Sequence, residues 1–155
     1  MKAKGDKTKG DKTKRDVPSA LLSPTLRTEG TSPFVSFGEA PYDIHFQLQP
    51  VGDDILATVT GGTRPHVGAV ALAEPAEASH PVTGEPLKRT SGKVSILTAE
   101  GHKDAVIAEM FAKKLCEKYG VNVCVSAGVH VDDASREEID LLVENAKTLL
   151  EMLIS

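Results

Sequence analysis

From Tyr42 to Gln49 the chain reads Tyr-Asp-Ile-His-Phe-Gln-Leu-Gln, with Ile44, Phe46 and Leu48 alternating strictly with Asp43, His45, Gln47 and Gln49. Successive side chains on a strand point to opposite faces, so this pattern specifies a strand with one dry side and one wet side. Pro50-Val-Gly-Asp-Asp54 supplies a turn, and Ile55 to Thr60 reads as the return strand of a hairpin. Val67 to Ala73 is continuously small and apolar, which suits a fully buried strand, and Lys93 to Thr98 reads as another. Glu74 to Arg89 holds three prolines and no periodicity, so a long loop is expected there.

The period then changes. Asp104 to Tyr119 has helical spacing, with Ile107, Met110, Phe111, the stem of Lys114, Leu115 and Lys118 on the expected stripe. Gly120 stands where a left-handed C-cap belongs. Val121 to Ala127 is a short strand. Ser135-Arg-Glu-Glu138 is a capping box opening a last helix, whose stripe is Ile139, Leu142, Val143, Ala146, Leu149, Leu150 and Leu153. The order is four or five strands, helix, strand, helix. Hairpins dominate, so the expected class is α+β: a mainly antiparallel sheet or sandwich with two amphipathic helices packed on it. Aromatic content is 4% and tryptophan is absent, so the core must be aliphatic.

The first 33 residues have a different character. Residues 5–14 repeat Gly-Asp-Lys-Thr-Lys twice, and Val17 to Pro33 adds three prolines. Without an apolar period this stretch cannot offset its ordering entropy. Residues 1–33 are therefore expected to form a disordered basic tail and extended arm, and 34–155 one folded domain. Leu21, Leu22 and Leu26 are the residues by which the arm would pack. Seven basic and three acidic residues stand in 1–16, against eleven basic and nineteen acidic in the rest, so the net −4 divides into +4 and −8. An acidic domain repels phosphate backbones, so nucleic acid is not an expected partner. No segment is long and apolar enough to be read as a membrane span. Cys116 and Cys124 suit neither a zinc framework nor a disulfide scaffold; as reduced thiols they point to the cytoplasm.

Three segments join glycine to histidine where a strand ends: Gly61-Gly-Thr-Arg-Pro-His-Val-Gly68, Glu100-Gly-His-Lys-Asp104 and Gly128-Val-His-Val-Asp132. In the first, Arg64 would fork onto a phosphate or carboxylate while Gly62 and Gly68 let backbone amides approach; a tight turn would use the same glycines. In the second, His102 and Lys103 precede a helix N-terminus, a ready anion site, whereas a plain helix start needs only Asp104. The third puts His130 and Asp132 on one face if extended. A metal reading gathers His66, His102, His130 and Asp132, without the close spacing that marks a metal motif. His45 and His80 read as surface histidines. Nucleophilic catalysis has little support, since no GxSxG elbow occurs and neither cysteine has an activating setting.

GGTRPHVGAVALAEP, the GHKD helix start and GVHVDDAS before a final helix resemble the prenylated-flavin chaperone-like family, found as the small D subunit of gallate-type decarboxylase systems. The likeness spans about residues 34–153. It implies a fold similar to proteasome assembly chaperones, often paired as a homodimer. It also implies a non-catalytic accessory role: maturation or prenylated-FMN loading of an aromatic-acid decarboxylase. The implied partners are the large decarboxylase subunit and a flavin prenyltransferase. The residues matching its motifs are Gly62, Arg64, His66, Gly68, His102, Lys103 and His130, which become contacts to the flavin phosphate or to the partner enzyme. The basic repeat lies outside the family pattern. Two other functions remain open on the residues themselves: a small metal-dependent enzyme using His66, His102 and His130, and a cofactor-free, proteasome-assembly-like interaction module. With so few aromatic side chains to stack on an isoalloxazine ring, partner binding alone also stays open.

Overall fold

The computed structural model describes residues 34–76, 81–85 and 90–155, so the expected tail and arm over 1–33, and His80, lie outside the described residues. The alternation at 44–48 becomes β2 (Ile44–Val51), with Ile44, Phe46 and Leu48 buried and their neighbours facing out. β1 (Phe34–Phe37) and β3 (Asp54–Gly62) flank it, β3 returning after a tight turn whose Gly52 has a left-handed φ of 60°.

β4 (Ala69–Ala76) and β5 (Thr90–Thr98) make a second antiparallel pair. α1 (Ala105–Tyr119) follows, then β6 (Val123–His130) and α2 (Arg136–Ile154). β6 inserts between the two pairs, parallel to β3 and antiparallel to β4, giving one six-stranded sheet in the order β1-β2-β3-β6-β4-β5. The class is α+β, and the sheet is antiparallel at every junction but one.

Both helices cover the same face. α1 packs on β4, β5 and β6, and α2 on β1 and β2. The core is a row of mostly aliphatic side chains across four strands, including Ile44, Val59, Ala71 and Val125, with Phe46 stacked on Phe111 of α1. Among the described residues nothing covers the opposite face, and Leu56 and Leu72 on it are 38% and 39% exposed.

That bare face changes one expectation. Val67 to Ala73 is not fully buried: Ala69, Ala71 and Ala73 enter the core while Leu72 and Val67 face solvent. The expected loop from Glu74 is shorter, because β4 continues through Pro75 across a register shift, beyond the reach of β6. On α1 the buried stripe is Ile107, Ala108, Phe111, Ala112, Leu115, Cys116 and Tyr119. Lys114 and Lys118 lie outside it: small residues let the helix sit close to the sheet, and the lysines turn to Glu117 and to the Ile154 carbonyl. Gly120 ends α1 in the left-handed region (φ 66°), its N–H donating to the Cys116 carbonyl at 2.8 Å. Burial, with the Glu117 charge behind it, pushes the Cys116 thiol up, away from nucleophilic character. No helix among the described residues is long and apolar enough to cross a membrane.

Candidate functional site

Topology brings the three glycine–histidine segments together. β3 and β6 run parallel and β4 runs against them, so the ends of β3 and β6 and the start of β4 share one edge of the sheet. Thr98, the last residue of β5, pairs with Ala69 there, so the link into α1 starts at the same edge. Backbone bonds fix the approach. Thr63 and Arg64 N–H donate to the His130 carbonyl at 2.8 and 3.2 Å, Gly68 N–H to the Ala127 carbonyl at 2.9 Å, and Ala99 N–H to the Gly68 carbonyl at 2.8 Å.

The glycines here serve contact within the protein. A Cβ on Gly128 would lie 1.6 Å from the His66 carbonyl oxygen, and one on Gly62 2.1 Å from that of His130. A Cβ on Gly68 would lie 1.9 Å from Asp104 Oδ2 and 2.9 Å from His66 Nε2. Any side chain at these positions would push the strands and the histidine segment apart.

Asp104 is the hub. It is 6% exposed, the only buried polar or charged residue among those described. It occupies the N-cap position of α1 yet makes no side-chain cap. Instead Oδ1 accepts from Val129 N–H at 2.9 Å, and Oδ2 faces His66 Nε2 at 3.1 Å and His102 Nδ1 at 3.8 Å. The rings of His66 and His102 lie 4.6 Å apart, and His130 stands edge-on to His66 at 6.1 Å.

His66, His102, Lys103 and His130 line one cavity of about 460 Å³. Its opposite wall is aliphatic, built from Val106, Ile107, Val131, Ile139, Leu142 and Val143. Ile139 was expected on the core stripe of α2; it is 50% exposed and borders this cavity. Arg64, Gly62 and Gly68 do not line it. Arg64 lies outside, its guanidinium 3.2 Å from Asp132 Oδ1, which also meets His130 Nε2 at 3.0 Å. The metal grouping read from the sequence is thereby rearranged. Asp132 is committed to Arg64 and His130, while Asp104 is the carboxylate that meets His66 and His102. His45 is half-buried and paired with Asp43 at 2.7 Å.

Sequence reasoning missed Asp104 because an Asp before a helix has a sufficient local role as a cap. The signal that could have revealed it is Gly68, since a glycine between a histidine and a buried strand makes room for something.

Residues 38–155 match the model of the prenylated flavin chaperone LpdD-like domain. Protein LpdD of Lactiplantibacillus plantarum is 31% identical over 120 residues, covering 76% of this chain and 79% of that protein. A crystal structure of a chaperone complex for yeast 20S proteasome assembly superimposes with a TM-score of 0.48 at 11% identity, over 79% of this chain and 94% of that one.

Proposed function

The chain belongs to the prenylated flavin chaperone LpdD-like family, and from that premise we propose that it is a non-catalytic accessory protein of a prenylated-FMN-dependent aromatic-acid decarboxylase. It receives the modified flavin from a flavin prenyltransferase and shelters it until the large decarboxylase subunit takes it up.

The observation that supports this reading is one cavity lined by Lys103 and three histidines together with aliphatic side chains. A flavin mononucleotide has a phosphate dianion at one end and a largely apolar tricycle at the other. Lys103 offers the cation, and helix geometry leaves the N–H groups of Ala105, Val106 and Ile107 without intrahelical acceptors. The cavity's volume of about 460 Å³ falls within the ordinary range for small-molecule sites. The scarcity of aromatic residues is met by branched aliphatic side chains, and Val106, 64% exposed, already presents apolar surface toward the cavity.

Co-expression with a flavin prenyltransferase tests the reading. The purified chain should retain a flavin chromophore, and Lys103→Ala should lose most of it without a change in melting temperature. A colourless wild-type protein overturns the carrier role, and full decarboxylase maturation with this chain omitted overturns the accessory role altogether.

A further inference from the structure

We propose that His66 Nε2, His102 and Asp104 Oδ2 bind a divalent transition-metal ion, with a fourth coordination position open to the cavity. The three donor atoms lie within 4.8 Å of one another. Tetrahedral ligands about 2.0–2.1 Å from a metal sit about 3.3 Å apart. The Nε2–Oδ2 separation of 3.1 Å already matches, and the 3.8 Å from His102 Nδ1 to Oδ2 needs only a small closing of a side chain that is 39% exposed.

The hydrogen-bond pattern of His66 leaves a place for a cation. Its Nδ1 lies 2.9 Å from the Arg64 carbonyl, which can only accept, so Nδ1 carries a proton. The neutral ring then has a bare lone pair on Nε2, aimed at another acceptor, the Asp104 carboxylate. Either a second proton or a metal ion must lie between them. The His102 ring lies 4.6 Å from that of His66, and its Nδ1 faces the same carboxylate oxygen at 3.8 Å. A metal ion resolves both contacts with neutral imidazoles.

The surroundings are those of a supported metal site. The Arg64 carbonyl fixes the tautomer of His66, and Val129 N–H holds the other oxygen of Asp104. Gly68 leaves the donor atoms clear of any side chain. Two imidazoles and one carboxylate suit a first-row ion that keeps an open position. The ion would also reverse the sign of the site: a buried carboxylate at the rim repels an anion, whereas a divalent ion attracts one. Only this last point, the nature of the fourth ligand, rests on the flavin reading; the metal site stands without it.

The test uses the full chain, stripped with a chelator and titrated with Zn²⁺ alone by calorimetry, with elemental analysis of the product. One equivalent should bind. His102→Ala should weaken binding at least about tenfold, the smallest cost of losing even an outer-shell partner. Asp104→Asn keeps an oxygen for Val129 N–H and should weaken binding by at least as much. Loading with Co²⁺ should give visible d–d bands that His102→Ala removes. Because His102 is partly exposed, its variant should melt with the wild type, so a loss of binding is not a loss of fold. Less than about a tenth of an equivalent in the wild type, or undiminished binding by His102→Ala, overturns the proposal. A chain that binds Zn²⁺ but retains no flavin on co-expression upholds this site and overturns the carrier role instead.

Discussion

The two helices begin with residues of the same capping class and use them differently. At the start of α2, Ser135 Oγ accepts from Glu138 N–H at 3.2 Å and Glu138 accepts from Ser135 N–H at 2.6 Å, so the helix closes on itself. At the start of α1, Asp104 could do the same, yet its carboxylate reaches across to Val129 and His66. The first α1 amides are left without a side-chain cap. A local stabilising bond has been given up for a tertiary one, and the place where that happens borders the cavity lined by His66, His102 and Lys103.

Substitutions can break this contrast. The largest effect should come from Gly128→Ala, whose Cβ meets the His66 carbonyl at 1.6 Å. Backbone must move, so a loss of about 3 kcal/mol in urea unfolding is expected, together with loss of the site. Next is Asp104→Ala. It strands the Val129 N–H, for about 1–3 kcal/mol, and Asp104→Asn should recover most of that stability but no ion binding. Ser135→Ala should cost about 1 kcal/mol in the same measurement while leaving ligand binding untouched. An equal loss of binding in Ser135→Ala would erase the distinction between the two helix starts.

A smaller effect sharpens the α2 side. The Tyr42 hydroxyl, and after it the Ser135 N–H, hold the Glu138 carboxyl below its usual range against the opposing pull of burial. A lowered carboxyl stabilises the fold above its ordinary value of 4.5, and that contribution drains away as pH falls through the folded value. The stability gap between wild type and Glu138→Gln should therefore narrow as pH falls below 4.5, read from urea midpoints across the acid range. A gap that stays constant would show that the Tyr42–Glu138 contact does not depend on charge. Smallest of all is Arg64→Ala. Its pair with Asp132 is 67% and 56% exposed, so stability should change by no more than about 0.5 kcal/mol.

The same contrast explains which parts of the molecule were legible. The strand at 44–48, the capping box at 135–138 and the cap at Gly120 were readable because their partners lie within a few residues. The stripe of α1 was legible at Ile107, Phe111 and Leu115, whereas Ala108, Ala112 and Cys116 follow the i,i+4 rule but small side chains advertise close packing weakly. Val67 to Ala73 looked buried on both sides because nothing local says that a sheet will have one bare face. At the site, His66, His102, Lys103 and His130 were picked out by type and meet in one cavity, whereas Arg64 pairs outside it. The role of Asp104 depends on Val129, 25 residues away, and on His66, 38 residues away, and no local pattern encodes those separations.

The insertion of β6 between β3 and β4 has a kinetic consequence. The β2–β3 and β4–β5 hairpins can each form from neighbouring segments, but they do not pair with each other. Joining them waits for β6, whose partner for Ile55 is Val123, far along the chain, and closing such a loop is a slow, entropy-limited event. Until that event, Val129 cannot hold Asp104, and the His66 segment has no Ala127 and His130 carbonyls to dock on. Stopped-flow refolding with Zn²⁺ present should then show ion uptake only in the slowest phase, at a rate independent of ion concentration, because the site is assembled by the last strand to arrive.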